Sequence, residues 1–406
     1  MSLTDKSNLN FDPHLPCITS ACCIQDQPAA DSDCPDSFQA TVSALNGPAD
    51  FPPMTAAIVP GDHVAIALDP NTPEVCRILA GVLQVLQESD AETVSVIVSD
   101  EVSEQVFADI CSVAGDTVQV EIHRPSDREA LRFLGPDSLA HPMYLSRLVV
   151  DADFVLPITT GRCGDLDRQH DLFGFFPSFS DSASRLRSMS LPNAIEPDAT
   201  DPHEPAWALG AQLILCVTAT RTGEAANVIA GTPIAIRKHL QESRFSSSQE
   251  SPTSLIVATL DGNQQQQTWQ NIARAAATAA QLAEQGGTIV LWSNIAEAPT
   301  NSLLSIMSED NLSTDSEPLG EDEFPEWDPL LEPAKTLRSL IHEYRILLRS
   351  QLSPEDTESL GMGVIGSADE LSHLTRSFSA CRVLRAASFC CSSATQSQKI
   401  TVPENQ

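Results

Sequence analysis

Several side chains able to do chemistry stand where apolar runs of this chain stop. Asp69 opens the run Asp69-Pro70-Asn71-Thr72-Pro73, the pair His123-Arg124 closes a later run, and the segment after Thr159 carries Arg162, Asp165, Asp167, Arg168 and His170. Histidine titrates nearest neutral pH, so a histidine at the end of a strand can act as general base or acid. Aspartate offers a fixed negative charge, and arginine a planar fork that matches a carboxylate or phosphate. The same residues serve equally well as loop groups bonded to backbone or as surface ion pairs, and position in a fold does not choose between these roles.

Positioning such residues requires a frame, and the pattern of apolar residues predicts one. The run HVAIALD at 63–69 reads as a buried strand, and apolar residues at helical spacing follow it over 74–88. Strands are expected at 93–99, 118–123 and 154–159, with helices at 102–113 and 127–134 between them. This alternation indicates a parallel sheet with right-handed crossovers, in which ligands gather at the carboxyl ends of the strands. After an irregular Ser- and Phe-rich stretch, 161–205, pattern returns at 212–218 and 226–230 and in a helix over 233–242. The polar stretch 246–252 marks a domain boundary. Beyond it come a strand at 255–260, an Ala-rich helix at 268–285 and, after Gly286-Gly287, a strand at 288–292. An acidic insert at 308–329 precedes a helix at 334–350, a strand at 361–365, a helix at 368–378 and a short strand near Val383. The expected organisation is a disordered leader 1–60, an N-terminal α/β domain 61–247, a second α/β domain 253–391 and a polar tail 392–406.

Charge narrows the ligands. Lys and Arg number 23 against 55 Asp and Glu, a net −32, so the chain lacks the clustered basic residues that a nucleic acid or an anionic membrane requires. Small polar molecules are the expected partners. No apolar run approaches a membrane span and the first ten residues are polar, so the expected location is cytoplasmic. The eleven cysteines show neither CxxC pairs nor a regular disulfide spacing and are expected as reduced thiols. Cys76, Cys111 and Cys216 lie in apolar runs as small core residues, while the clustered Cys17, Cys22, Cys23 and Cys34 leave open an adventitious metal site. There is no P-loop, no GxGxxG following a strand, no HExxH and no GxSxG elbow, and the acidic insert lacks the ligand spacing of an EF-hand.

Taken in order, Asp69 to Pro73 after a strand, His123-Arg124 after another, and His170-Asp171-Leu172-Phe173-Gly174-Phe175 resemble the lactate racemase family that uses a nickel pincer nucleotide. Leu209-Gly210, Gly223-Glu224 and Val228-Ile229-Ala230-Gly231 continue the resemblance, as do Trp269-Gln270 and Gly286-Gly287, so that it covers about 60–387. It implies a two-domain lactate-racemase-like fold, with a Rossmann-like parallel sheet in the N-terminal domain and the active site in the interdomain cleft. It also implies an isomerase in which His123 and His170 alternate as base and acid on the hydroxyl of a small 2-hydroxy acid, while hydride passes to the nickel cofactor. Gln270 and Arg124 then match substrate-contacting positions, Asp69, Thr72 and Ser180 match positions around the cofactor, and His203 matches the nickel ligand.

Departures from the family pattern carry a second reading. Thr72 stands where the family has a clamping arginine, and Ser180 where it has the lysine that tethers the cofactor. Ala273, with Arg274 alongside, replaces a helix lysine, and an aromatic run, 173–181, replaces a Gly-rich loop. The only lysines are Lys6, Lys238, Lys335 and Lys399. The alternative is therefore a catalytically silent, cofactor-free protein that binds a small anion or a protein partner through the same cleft.

Overall fold

The computed structural model describes residues 23–26, 34, 36–137, 139–162, 172–190, 204–220, 222–242, 252–308 and 324–389. In chain order the strands are β1 (Cys23–Asp26), β2 (His63–Leu68), β3 (Thr93–Val98), β4 (Gln119–Ile122), β5 (Leu131–Pro136), β6 (Pro142–Ser146) and β7 (Phe154–Thr160). They continue with β8 (Ile214–Ala219), β9 (Ala225–Gly231), β10 (Thr253–Thr259), β11 (Ala283–Trp292), β12 (Arg345–Arg349), β13 (Gly363–Val364) and β14 (Cys381–Leu384).

Two six-stranded sheets organise them. The first has the order β4-β3-β2-β7-β8-β9 and the second β1-β14-β10-β11-β12-β13. All pairings in the second are parallel, and in the first only β8 and β9 run antiparallel. This is the mixed α/β, largely parallel architecture that the alternating pattern predicts. From Val64 on, β2 is buried throughout because both faces of its sheet are covered. One face buries Val64, Ile66 and Leu68 against Ile78, Leu79 and Val82 of helix Val75–Gln87. The other buries Ala67, Ile97 and Val155 with Phe173, Phe175 and Phe179, so the aromatic run is core of the first domain.

The expected disordered leader is corrected in its second half. Helix Ser37–Asn46 is capped by the Asp36 carboxylate, which accepts from the Gln39 amide, and it packs on helix Val75–Gln87 and on β9. Its buried stripe is Ser37, Thr41 and Leu45, too small and polar to register as hydrophobic periodicity. Close approach makes the contact instead: a Cβ on Gly81 would stand 2.8 Å from the Thr41 Cβ. Within the same leader, β1 pairs with β14, in the other sheet.

Two helices of the sequence pattern are also corrected. Residues 127–134 form a single 3-10 turn and then β5, which pairs antiparallel with β6. The cross-strand contact of Phe133 with Tyr144, rings 5.3 Å apart, and the Arg128 guanidinium 4.9 Å over the Tyr144 ring favour the hairpin. The helix expected over 334–350 runs Leu331–Glu343 and gives way to β12, whose Ile346, Leu347 and Leu348 are buried in succession. A short continuous apolar run reads alike as buried strand or helix, and here the slot between β11 and β13 decides. The 246–251 part of the boundary, 309–323 of the acidic insert and the tail 392–406 lie outside the described residues. Among the described residues no helix is long and apolar enough to cross a membrane.

Candidate functional site

The carboxyl end of β2 is a turn built around Asp69. Its amide donates to the Ile158 carbonyl of β7 (3.0 Å), and the Thr72 amide returns to the Asp69 carbonyl (3.1 Å). Oδ1 of Asp69 accepts the Asn71 amide at 2.9 Å, while Oδ2 accepts the Thr160 hydroxyl at 2.8 Å and Arg162 Nη1 at 3.3 Å. Burial works to raise this carboxyl's pKa, but the Arg162 and Arg274 charges and the two shorter hydrogen bonds hold it below the usual carboxylate range. Thr72 is buried, its hydroxyl 3.3 Å from that of Thr160.

Polar bonds cross from this turn to the second domain. Thr268 caps helix Trp269–Leu282, and from its first turns Asn271 Nδ2 stands 3.4 Å from Asn71 Oδ1. Gln266 Nε2 donates to the Asn71 carbonyl at 3.3 Å. One turn further along the helix, Arg274 Nη2 meets both oxygens of Glu101, which follows β3, at 2.9 and 2.8 Å, and Asn71 Nδ2 donates to the same carboxylate at 2.8 Å. Burial alone would depress the pKa of the Arg274 guanidinium, but the Glu101 and Asp69 charges raise it. Gln270 is buried one residue before Asn271. Beside these bonds the two domains touch backbone to backbone: Gly223, at φ +80° between β8 and β9, would with a Cβ stand 2.8 Å from the Gly262 Cα beyond β10.

A second cluster surrounds His123 at the end of β4. Its Nε2 lies 2.8 Å from the Ser180 carbonyl, which can only accept, so this nitrogen carries the proton. Nδ1 is then the acceptor, and it is buried without a partner. Burial, reinforced by the Arg185 charge and only partly offset by the Ser180 bond, pushes the imidazole pKa down to about 3. The ring packs edge-on against Phe179, centroids 5.8 Å apart, and the Ser180 hydroxyl donates to the Pro177 carbonyl at 2.8 Å. Arg185 closes this corner. Its Nη1 meets both oxygens of Asp100 at 2.8 and 2.9 Å, its Nε and Nη2 donate to the Pro177 and Ser178 carbonyls, and its guanidinium lies 4.9 Å from the Trp327 ring centre. Next to Trp327, the Pro325 carbonyl accepts the hydroxyls of Ser126 and Ser182 at 2.7 and 2.6 Å, bringing the second domain over the cluster.

The imidazole has a measurable signature. Its folded pKa of about 3 lies below the value of 6.5 for the free side chain, so the unfolded chain binds the extra proton and stability falls as pH drops through that window. The contribution reaches about 1.4 kcal/mol per pH unit where the two states differ by one proton. A His123→Gln variant, followed by urea unfolding from pH 7 to pH 4, is expected to lose this share of the slope; an unchanged slope would mean that the imidazole titrates normally in the fold.

Four of the expected site residues thus fall into two groups, Asp69 with Thr72 and His123 with Ser180, and among the described residues no hydrogen bond joins the groups. Arg124 points to solvent and pairs with Asp127 at 2.9 Å. His170 and His203 lie outside the described residues. Lys238 is exposed on helix Pro233–Glu242, which packs on β8 and β9. Among the described residues no three His, Cys, Asp or Glu side chains stand together as a metal site. Sequence reasoning missed Asp100 and Glu101, although two adjacent carboxylates closing a strand are a signal of the same kind as Asp69.

No family model and no curated protein matches the sequence. Solved structures do match. The lactate racemase apoprotein from Thermoanaerobacterium thermosaccharolyticum superposes with a TM-score of 0.66 over 91% of this chain and 94% of that one, at 14% identity. A protein from Thermotoga maritima superposes with a TM-score of 0.57 over 88% of this chain and 97% of that one, at 11% identity. The chain therefore has the lactate-racemase-like two-domain α/β fold, and at these identities the likeness speaks for the fold alone.

Proposed function

We propose that the chain is a cofactor-free variant on the lactate-racemase-like fold that binds a small anion in the cleft between its two sheets. The observation that carries this reading is the state of His123. A general base needs a pKa near the working pH and a nitrogen the substrate can reach; this imidazole is 2% exposed, bonded to the Ser180 carbonyl and depressed to about 3. The nickel pincer nucleotide implied by the sequence resemblance does not fit the residues at the matched positions. Ser180 offers no amine, and its hydroxyl and carbonyl are both engaged within its own loop and with His123. Phe173, Phe175 and Phe179 occupy the core where the family carries its Gly-rich loop. The isomerase reading, with His123 and His170 as paired acid and base, rests on the order of the sequence motifs.

The deciding measurement is nickel and bound-nucleotide content after co-production with the enzymes that make the pincer cofactor, beside an authentic lactate racemase. The expected result is a loaded control, substoichiometric nickel in this protein and no interconversion of D- and L-2-hydroxy acids. Stoichiometric nickel or racemisation would overturn the reading.

A further inference from the structure

Two cysteines are matched where the leader meets the second sheet. β1 is the outermost strand there and pairs in parallel with β14, in the register Cys23 with Cys381, Ile24 with Arg382, Gln25 with Val383 and Asp26 with Leu384. Among the described strand pairings this is the one place that sets cysteine against cysteine. Neighbouring strands lie about 4.7–4.9 Å apart, inside the range of about 4.4–6.8 Å between Cα atoms that a disulfide spans, and register partners share a face of the sheet. Cys381 is a free thiol, 4% exposed, on the face that packs Leu255, Val257 and Val383.

The leader also holds the other domain. The Cys34 amide donates to the Ala225 carbonyl of β9 at 2.9 Å, and helix Ser37–Asn46 packs on β9 and on helix Val75–Gln87. One short stretch of chain thus attaches to both sheets, separately from the 246–252 boundary that joins the domains in sequence. The two attachments are unequal. On the first domain the leader is a capped helix with a buried stripe; on the second it is four residues at a sheet edge. A strand that short with a single neighbour stands at the low end of local stability, so the grip on β14 is the one that opens first.

We infer that Cys23 and Cys381 form a reversible disulfide that fastens this strap to the second domain, with a low-molecular-weight disulfide such as oxidised glutathione as the oxidant. Cys381 is buried and Cys23 lies on the outermost strand, so the oxidant meets Cys23 first. The Cys23 thiolate attacks one sulfur of the small disulfide, whose S–S bond breaks to release one small thiol and leave a mixed disulfide on Cys23. The Cys381 thiolate then displaces the second small thiol. Two protein thiols are oxidised, one small disulfide is reduced to two thiols, and the two cysteine protons end on the departing thiolates. Excess dithiothreitol runs the exchange backwards. The inference stands apart from what the cleft binds.

The test is oxidation of the purified full-length protein at pH 8 with oxidised glutathione, alkylation of the remaining thiols with iodoacetamide, and mass analysis of the peptides before and after reduction. Wild type is compared with Cys22→Ser and Cys23→Ser, since Cys22 is the adjacent thiol. A linked pair of peptides holding Cys23 and Cys381 is expected in wild type and Cys22→Ser, absent from Cys23→Ser and abolished by dithiothreitol. Hydrogen exchange of the wild type gives a second readout. Amides of 23–26 and 381–384 that bond across the ladder should exchange at least about tenfold more slowly in the oxidised than in the reduced protein, because β1 no longer leaves its partner. Mixed disulfides alone, linkage of Cys381 to another cysteine, or loss of the link in Cys22→Ser would overturn the pairing. A link without slower exchange would overturn the strap. Both wild-type readouts are independent of how the variants fold.

Discussion

Replacing Asp100 by alanine is expected to cost about 3–5 kcal/mol, the range for removing one partner of a buried ion pair. The side chains of Arg185 and Asp100 are 6% and 10% exposed, so neither charge is well hydrated. Burial is the largest influence on the Asp100 carboxyl and raises its pKa against the pull of Arg185, the behaviour of a pair held out of water. Without Asp100 the guanidinium keeps only the Pro177 and Ser178 carbonyls and the Trp327 face, none of which neutralises it. The damage should spread, because those two carbonyls belong to the loop that positions Ser180 under His123. Urea unfolding at pH 7 measures the loss. The double change Asp100→Leu with Arg185→Met should recover most of it, since paired apolar replacement removes both desolvation costs. A loss under about 1 kcal/mol in Asp100→Ala would place the pair among solvated surface bridges.

Phe175→Ala is expected to be comparably severe, about 3–5 kcal/mol, as for other buried aromatics cut to alanine. Phe175 is fully buried and stacks on Phe173 with centroids 5.9 Å apart and planes 13° apart, among Ile97, Val155 and Ile214. The substitution tests the assignment of the aromatic run to the core. If the run is core, stability falls and no added small molecule restores it. If instead it lined a ligand pocket, truncation would be mild, and a hydrophobic ligand would raise the melting temperature of the variant above that of the unliganded protein.

Legibility in the sequence followed burial. β2 and helix Val75–Gln87 were readable because their apolar residues repeat at the period of the element, and β12 was misread because three apolar residues in succession fit either period. Helix Ser37–Asn46 escaped because Ser37 and Thr41 hold it by close approach rather than by hydrophobic bulk. In the site, Asp69, Thr72, His123 and Ser180 could be singled out from strand ends and motif order, but not their separation into two hydrogen-bonded groups, which depends on how the aromatic run folds back. The bridge of Glu101 to Arg274 joins residues 173 apart in the chain, and a pairing that distant leaves no local trace. Arg162 looked like any loop arginine. Only the positions of its neighbours leave two of its donors unmatched.

The contact of Gly223 with Gly262 gives the molecule an adjustable stop. Both residues have positive φ, +80° and +105°, and at this point main chain rests on main chain with no side chain between the halves. A Cβ on Gly223 would meet the Gly262 Cα, the Gly262 nitrogen and the Asp261 carbonyl at 2.8–2.9 Å, too close to fit unless something shifts. A methyl group at Gly223 would act as a doorstop, and valine a thicker one, propping the halves apart at one edge while leaving Asp69, Arg162, Glu101 and Arg274 chemically intact. Such a wedge series would vary how far the two halves shut independently of the charges between them.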